Sequence, residues 1–244
     1  MERRPAILRA LAESSARVVT LCGGEPLLVQ RVDEYAAILA GCGKRTVLNT
    51  NGELLRRRLD QGLKLAAFDM VGISIEGSTS DVHRAMRGDR ANFDEAVEAA
   101  RLVAKEPGVR LKVGTVVSGV NRKDLPALAR FVRDLAPDVW RLYQYSSRGD
   151  QNIGQRRYWI SDADFYQLVG EAAELASPVT TEPSSEVSTK GCLIVDPDGY
   201  VLQPGGASYI RLGNVLTEPL DDIWAMLSTR TAIIRNKRWL SVLS

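Results

Sequence analysis

The feature that most constrains the fold is the alternation of short strand-like runs with longer helix-like segments. The strand-like runs are rich in β-branched and aromatic residues, and the helix-like segments repeat apolar residues at helical spacing, as in Ala96, Ala99, Ala100 and Val103. The predicted strands span residues 17–22, 45–49, 70–75, 109–117 and 139–145. This alternation predicts parallel βαβ units and therefore an α/β fold.

The helical segments show how the predicted strands are connected. They span residues 5–13, 28–40, 53–61, 92–105, 123–135 and 162–175. In a closed β/α barrel every helix follows a strand, whereas this chain opens with the helix at 5–13. We therefore predict a partial, TIM-like (β/α) barrel of about five parallel strands whose first strand is missing.

The pattern changes after residue 176. Residues 177–189 are rich in Ser, Thr and Pro and predict a loop. Residues 192–195 and 200–202 flank a Pro-Asp-Gly turn and predict a β-hairpin, which a short helix at 220–227 follows. We predict a barrel domain over 1–176 and a C-terminal extension over 177–244, packed on the barrel because it is too short for its own core.

Composition limits the classes of partner and compartment. The formal net charge is only +2, so charge alone gives no clear indication of nucleic-acid binding. No uninterrupted apolar run has the length of a membrane span, and the first residues do not resemble a secretory signal. We expect a cytoplasmic protein that does not bind membranes.

Each predicted strand ends in a polar or glycine-bearing segment, and these ends meet on one rim of a parallel barrel. The segments are residues 23–26, 49–52, 74–77, 117–121 and 143–149. Gly23 and Gly24 let a ligand approach the backbone, Glu25 supplies a carboxylate for an ammonium group, and Pro26 can begin the next helix. A plain turn with a solvated glutamate is the alternative for this first segment.

The ordered set of motifs over residues 5–176 resembles the radical S-adenosylmethionine (SAM) superfamily. The resemblance rests on Leu21-Cys22-Gly23-Gly24-Glu25-Pro26-Leu27-Leu28, Asn49-Thr50-Asn51-Gly52, Ile73-Ser74-Ile75-Glu76-Gly77, His83-Arg84-Ala85-Met86-Arg87-Gly88 and Trp140-Arg141-Leu142-Tyr143-Gln144. The tail, with Leu193-Ile194-Val195-Asp196-Pro197-Asp198-Gly199, is similar to SPASM and viperin-like members, of which the viperin-like ones dehydrate nucleotides.

The resemblance implies a SAM-binding role for strand-end residues. In the family the Gly-Gly-Glu segment holds the methionine ammonium, polar residues at the next strand ends take the ribose and carboxylate, and later strand ends frame the adenine. The residues that match are Gly23, Gly24, Glu25, Pro26, Asn51, Ser74, Glu76, Arg87 (or Arg84), Val117, Asn121, Tyr143 and Gln144.

Several of these residues have structural alternatives. Ser74 can simply face the barrel interior, and Arg87 can form a surface ion pair. Tyr143 and Tyr145 are equally compatible with packing. Tyr145 and Arg148 are candidate substrate contacts, but the segment around Arg148 also fits a basic surface loop.

The resemblance also implies an iron–sulfur cofactor. Family members hold a [4Fe–4S] cluster with a Cys-x3-Cys-x2-Cys loop, and an electron from it cleaves SAM to a 5′-deoxyadenosyl radical. The radical abstracts hydrogen from a small-molecule, nucleotide or peptide substrate, and an electron donor is an expected partner. The spacing of Cys22, Cys42 and Cys192 does not match that loop. We therefore expect this chain to lack the ligands of the cluster and to hold no other metal site. We expect this chain alone to be inactive in radical chemistry.

Three explanations of the missing loop stay open. The first is an ordinary radical SAM enzyme whose N-terminal strand and loop are lacking here. The second is a cluster-free SAM-binding accessory or regulatory protein without radical activity, and the third is a degenerate barrel. A missing first strand also predicts an open edge on the next strand, which favours aggregation unless the edge is covered.

Overall fold

The computed structural model describes residues 3–147, 155–184, 192–205 and 208–228. The elements in chain order are α1 (Arg3–Glu13), β1 (Val18–Leu21), α2 (Val32–Gly41), β2 (Arg45–Thr50), α3 (Leu55–Asp60), β3 (Met70–Ser74), α4 (Ser80–Arg87), α5 (Phe93–Ala104), β4 (Arg110–Val117), α6 (Leu125–Leu135), β5 (Val139–Gln144), α7 (Asp162–Ala176), β6 (Thr180–Ser184), β7 (Ile194–Val195), β8 (Tyr200–Gly205), β9 (Ser208–Asn214) and α8 (Leu220–Ser228). Short 3-10 turns cover Pro26–Leu28, Leu65–Ala67 and Arg156–Tyr158.

Strands β1 to β6 form one parallel sheet in sequence order, as expected for a partial (β/α) barrel. The prediction of about five strands was too low, because β6 lies within the segment predicted as a loop. Thr180 and Thr181 favour a strand, and Pro183 is tolerated since β6 is at the edge of the sheet. Within the described residues β1 pairs with β2 alone, so its other side is an edge.

One face of the sheet is apolar and is covered by the helices. Its side chains include Leu48, Ile73, Leu111 and Leu142, which pack in a single cluster with apolar residues of α2, α5, α6 and α7. Burial of this face supplies most of the driving force for folding. It also fixes the strand register, because a shift by one residue would turn the apolar side chains to the opposite face.

The opposite face of the sheet is polar at its centre. Near the N-terminal ends of the strands Val47, Met70 and Val139 form a small apolar cluster. Two residues further along β2 and β3, Asn49 pairs with Gly72, and Gly72 in turn pairs with Lys112 of β4. In TIM barrels this inner face is filled by branched apolar side chains, so a polar inner face indicates a lumen adapted to a ligand.

Side-chain caps begin three of the helices. Asn92 and Ser161 cap α5 and α7 by accepting bonds from the backbone N–H groups of Glu95 and Asp164. Helix α4 was not predicted; it begins after Thr79, whose hydroxyl accepts a bond from the Val82 N–H.

The C-terminal extension forms a small antiparallel sheet, β7-β8-β9, followed by α8. The predicted hairpin is confirmed as β7 and β8, and β9 is an additional strand. Val201, Val215, Leu220 and Ile223 form a separate apolar cluster that includes side chains of α1. The division of the chain at residue 176 stays a prediction, although β6 continues the main sheet beyond it.

Two polar contacts join α1 and its following turn to the extension. Arg3 forms an ion pair with Asp198, and the Asp221 carboxylate accepts bonds from the Ser15 backbone N–H at 2.9 Å and from its hydroxyl. Among the described residues no helix has the length and apolar character needed to cross a membrane.

Candidate functional site

The loop after β1 leaves space beside its backbone. Gly23 and Gly24 have φ values of +89° and +52°, a region that favours glycine. A Cβ placed on either residue would meet no heavy atom within 4 Å. The glycines are therefore required by the backbone conformation, and the volume beside them is open to a ligand.

Glu25 fixes this loop to the neighbouring strand end. Its carboxylate accepts bonds from the Leu27 N–H at 2.9 Å, the Thr50 hydroxyl at 2.6 Å and the Asn51 N–H at 2.9 Å. Thr50, which the sequence did not identify as a site residue, thus holds the loop in position. Pro26 begins the following 3-10 turn and is buried.

A second group of predicted residues joins β3 and β4. Glu76 is only 4% exposed, and its carboxylate binds Arg87 at 3.1 Å and the Val116 N–H at 2.6 Å. Burial raises the pKa of Glu76, and the charge of Arg87 opposes this effect. His83, whose Nδ1 accepts the Glu76 N–H, has its pKa lowered to about 4, mainly by burial.

Asn121 holds the same rim from the loop after β4. It is 1% exposed, and its amide donates to the Glu76 and Val116 carbonyls at 2.8 Å each. Its oxygen accepts the Ser118 N–H. Val117, at the end of β4, is fully buried. Val117 and Asn121 are therefore buried supports of the rim and do not line its surface.

The last group lies at the end of β5. Tyr143 is on the inner face, where burial raises its pKa and Arg141 lowers it. Gln144 donates to the Asp162 carboxylate at 2.7 Å. Tyr145 stacks on Tyr158, and its buried hydroxyl has no hydrogen-bond partner within the described ranges. Arg148 lies outside the described residues.

The structure thus joins the predicted residues through two separate sets of contacts. Glu25 and Asn51 meet at the ends of β1 and β2, whereas Glu76, Arg87 and Asn121 meet around β3 and β4. Ser74, half-buried at the end of β3, lies on the inner face opposite Gly114 of β4.

Sequence reasoning missed a group of buried charged residues on the inner face of the sheet. Lys112 is 2% exposed and donates to the Asn49 side chain at 2.7 Å. Arg141 and Glu182, also buried, form an ion pair between β5 and β6 that includes a bond from Arg141 Nε at 3.1 Å. The available signal was the placement of charged residues at alternate positions within strands that are otherwise apolar.

The environment of Lys112 disfavours its positive charge. Burial, and secondly the charge of Arg141, lower the pKa of Lys112 to about 7, while Cys22 and Glu182 oppose the shift. A strongly shifted lysine in a sheet lumen is a typical property of functional sites.

The rim offers open space beside two of its residues. The open space beside Gly23 and Gly24 is bordered by the Glu25 carboxylate, which suits a ligand that carries an ammonium group. In the described part of the chain no group of three or more His, Cys, Asp or Glu side chains is placed to hold a metal ion.

Several known proteins are similar to this chain in sequence. The family model described as Radical SAM superfamily matches residues 2–132, more than half of the chain. A Fe-coproporphyrin III synthase of Methanosarcina barkeri is 31% identical over 52% of this chain and 31% of its own length. An AdoMet-dependent heme synthase of Oleidesulfovibrio alaskensis is 23% identical over 90% of this chain and 64% of its own length.

A third relative and two solved structures extend the comparison. An S-adenosylmethionine-dependent nucleotide dehydratase of Lacinutrix mariniflava is 27% identical over 79% of this chain and 40% of its own length. Streptococcus suis SuiB bound to S-adenosylmethionine superposes with a TM-score of 0.70 at 16% identity, covering 97% of this chain and 62% of SuiB. A domain of a Bacteroides vulgatus pyruvate-formate lyase-activating enzyme gives 0.53 at 18% identity, covering 68% of this chain and 98% of that domain. At these identities the two structures show a shared fold.

Proposed function

This chain belongs to the radical SAM superfamily, and from that membership we propose that it binds S-adenosylmethionine at the rim formed by the ends of β1 to β5. In complete form the protein would use SAM in radical chemistry. The chain spans 64% of the length of the heme synthase and 31% of the coproporphyrin synthase, so the activity of the whole protein is part of the proposal.

The observation that carries the proposal is the open loop at Gly23 and Gly24, held to the end of β2 by Glu25. A carboxylate offers about four acceptor positions, and groups in the described part of the chain use three of them. About one acceptor position on Glu25 then remains for the methionine ammonium of SAM. The existing bonds fix the carboxylate in place, so little further ordering is needed on binding.

The remaining rim residues have two proposed roles. Asn51 and Ser74, at the ends of β2 and β3, and Arg87, at the end of α4, would contact the ribose and carboxylate of SAM. Glu76 holds Arg87, so it would act through that partner. For the adenine, we propose that Val117 and Asn121 shape the edge through the backbone, with Tyr143 and Gln144 beside it.

SAM, when reduced by a [4Fe–4S] cluster, supplies a 5′-deoxyadenosyl radical for hydrogen abstraction. The cysteines of this sequence, Cys22, Cys42 and Cys192, do not fit the three-cysteine pattern of the family, so the proposal assigns no residue of this chain to the cluster. The same observation favours a second candidate function, a SAM-binding accessory or regulatory protein without radical activity.

Relatives suggest an order of substrate classes. The relatives that align over most of this chain include heme synthases of Oleidesulfovibrio alaskensis and Methanosarcina barkeri, which favours a small-molecule substrate. The nucleotide dehydratase keeps a nucleotide as the next class. A peptide comes third, because its support is the fold shared with SuiB, which was also solved with its precursor peptide.

A matched pair of glycine variants tests SAM binding. Gly23→Ala would place a methyl group in the proposed SAM site, whereas Gly62→Ala adds one at a surface position with φ +94° and no atom within 4 Å. Both variants should lose about 1–2 kcal/mol of stability, because both backbones are left-handed. Only Gly23→Ala should weaken SAM binding, by about tenfold or more, in isothermal titration calorimetry.

Equal SAM affinities for the two variants would reject this location of the site. An absence of SAM binding by the folded wild-type chain would reject the proposed function itself. Thermal melts of all three proteins show whether a loss of binding reflects unfolding.

A further inference from the structure

The segment that precedes α7 contacts the parts of the chain that follow β3, β4 and β5. We call residues 155–160 the strap; they include the 3-10 turn Arg156–Tyr158. In the loop after β4 the Gly119 N–H donates to the Tyr158 carbonyl at 3.2 Å. A Cβ on Gly119 would lie 2.6 Å from the Arg157 carbonyl oxygen, so the two backbones are in close contact. The strap is therefore held against the loop after β4.

Tyr158 extends the contacts of the strap in two further directions. Its side chain is buried, and its ring stacks on Tyr145, at the end of β5, with the ring centroids 5.3 Å apart. Its hydroxyl donates to the Ala85 carbonyl of α4 at 3.2 Å. One side chain thus connects the end of β5 with the helix that follows β3.

Arg157 sets the direction of the Tyr158 hydroxyl. The Arg157 Nη2 donates to the Tyr158 Oη at 2.7 Å, and the guanidinium lies over the Tyr158 ring, 4.7 Å from its centroid. A tyrosine hydroxyl has a single proton and can also accept. Because the hydroxyl accepts from Arg157, its own proton is available for the Ala85 carbonyl.

The contact at Ala85 fixes the backbone of the last turn of α4. Carbonyl groups in a last helical turn have no partner within their helix, and Tyr158 supplies one here. Arg87 ends the same helix two residues later, and its side chain pairs with Glu76 at 3.1 Å. Tyr158 therefore holds the backbone close to Arg87, while Glu76 holds the Arg87 side chain.

We propose that Tyr158 is a positioning residue for SAM, which holds the last turn of α4 so that Arg87 can bind the SAM carboxylate. This inference rests on the proposed function and assigns Arg87 to the carboxylate, because a guanidinium forms strong charge-assisted bonds with that group. Arg87 binds Glu76 through one of its nitrogens, and a guanidinium has five N–H donors, so others can reach the ligand. Tyr158 itself would not touch SAM.

A conservative variant of the tyrosine tests this role. Tyr158→Phe removes the hydroxyl and keeps the ring that stacks on Tyr145. In isothermal titration calorimetry the Kd of SAM should rise about fivefold, the effect of one lost hydrogen bond. Tyr209→Phe, which changes an exposed tyrosine of β9, should match the wild type. Thermal melts check that both variants are folded.

A second ligand separates positioning of Arg87 from a general effect on the rim. Decarboxylated SAM keeps the ammonium that Glu25 is proposed to bind but offers no carboxylate to Arg87. Tyr158→Phe should therefore change the Kd of decarboxylated SAM by less than about twofold. With SAM itself, Tyr158→Phe should cause no further loss of affinity in an Arg87→Gln background, because the two residues act in series.

The inference is overturned if Tyr158→Phe binds SAM normally, if it loses affinity equally for SAM and decarboxylated SAM, or if the losses of Tyr158→Phe and Arg87→Gln add in the double variant. Failure of the wild type to bind SAM would reject the proposed function as well. Normal SAM binding by both the wild type and Tyr158→Phe would reject this inference alone.

Discussion

Lys112 makes the stability of the folded chain depend on pH, because its pKa differs between the folded and unfolded states. Its pKa is about 7 in the folded chain, against an ordinary value of 10.5 in the unfolded chain. Between these values the unfolded state binds more protons, so the free energy of unfolding rises with pH. Below about pH 7 the folded chain bears the full cost of burying the charge, and above about pH 10.5 the cost is gone.

We therefore expect Lys112→Met to stabilise the chain most at low pH. The increase in melting temperature over the wild type should be larger at about pH 6 than at about pH 9, because the wild type loses its buried charge across that interval. Scanning calorimetry at the two pH values measures it. Lys105→Met should show no such pH-dependent difference, and a constant difference for Lys112→Met would contradict a lowered pKa.

Among single residues, the sequence identified site candidates only where a local motif includes them. Glu25 was selected through its Gly-Gly-Glu motif, and the structure adds its bond to the next strand end, which the motif alone does not specify. Lys112 and Arg141 were not identified, because their importance arises from neighbours on other strands. The direct contacts of the rim residues with SAM stay predictions.

The inner faces of β3 and β4 each contain one glycine, and the surroundings of the two glycines differ. Gly72 lies under the Lys112 side chain, whereas Gly114 has only ordinary contacts. We expect Gly72→Ala to cost about 1–3 kcal/mol, since the Lys112–Asn49 bond must move aside, and Gly114→Ala to cost less.

Chemical denaturation of both variants measures this difference. If Gly72→Ala and Gly114→Ala are equally stable, the lysine does not cross Gly72 as described. The pair is matched because the two glycines lie on adjacent strands and neither has a positive φ.

Prediction of helices and strands succeeded where apolar residues repeat over several turns, and it failed for short segments. Helices α5 and α7 have strong apolar repeats and clear caps, and the structure confirms them within a residue or two. Strand β6 was missed because Ser, Thr and Pro are typical of loops, and only pairing with β5 makes the segment a strand. Helix α4 was missed because its composition is mostly polar.

For the whole molecule, binding of SAM and cleavage of SAM should separate. After incubation with iron, sulfide and dithionite, the chain of this sequence should bind SAM but release no 5′-deoxyadenosine, because its cysteines lack the cluster pattern. Liquid chromatography of the products measures this, with a complete radical SAM enzyme as the positive control. Release of 5′-deoxyadenosine at the rate of that control would show that these cysteines hold a working cluster.

The contact between α1 and the C-terminal extension has a mechanical consequence. In the described residues the two edge strands, β1 and β6, are not joined by hydrogen bonds, so the sheet is an open arc. The segment before one edge and the segment after the other nevertheless meet through the apolar cluster of Ile7, Leu11, Val201 and Ile223. Side-chain packing thus holds the two edges of the open sheet relative to each other, and disrupting this cluster would free the edges to move apart.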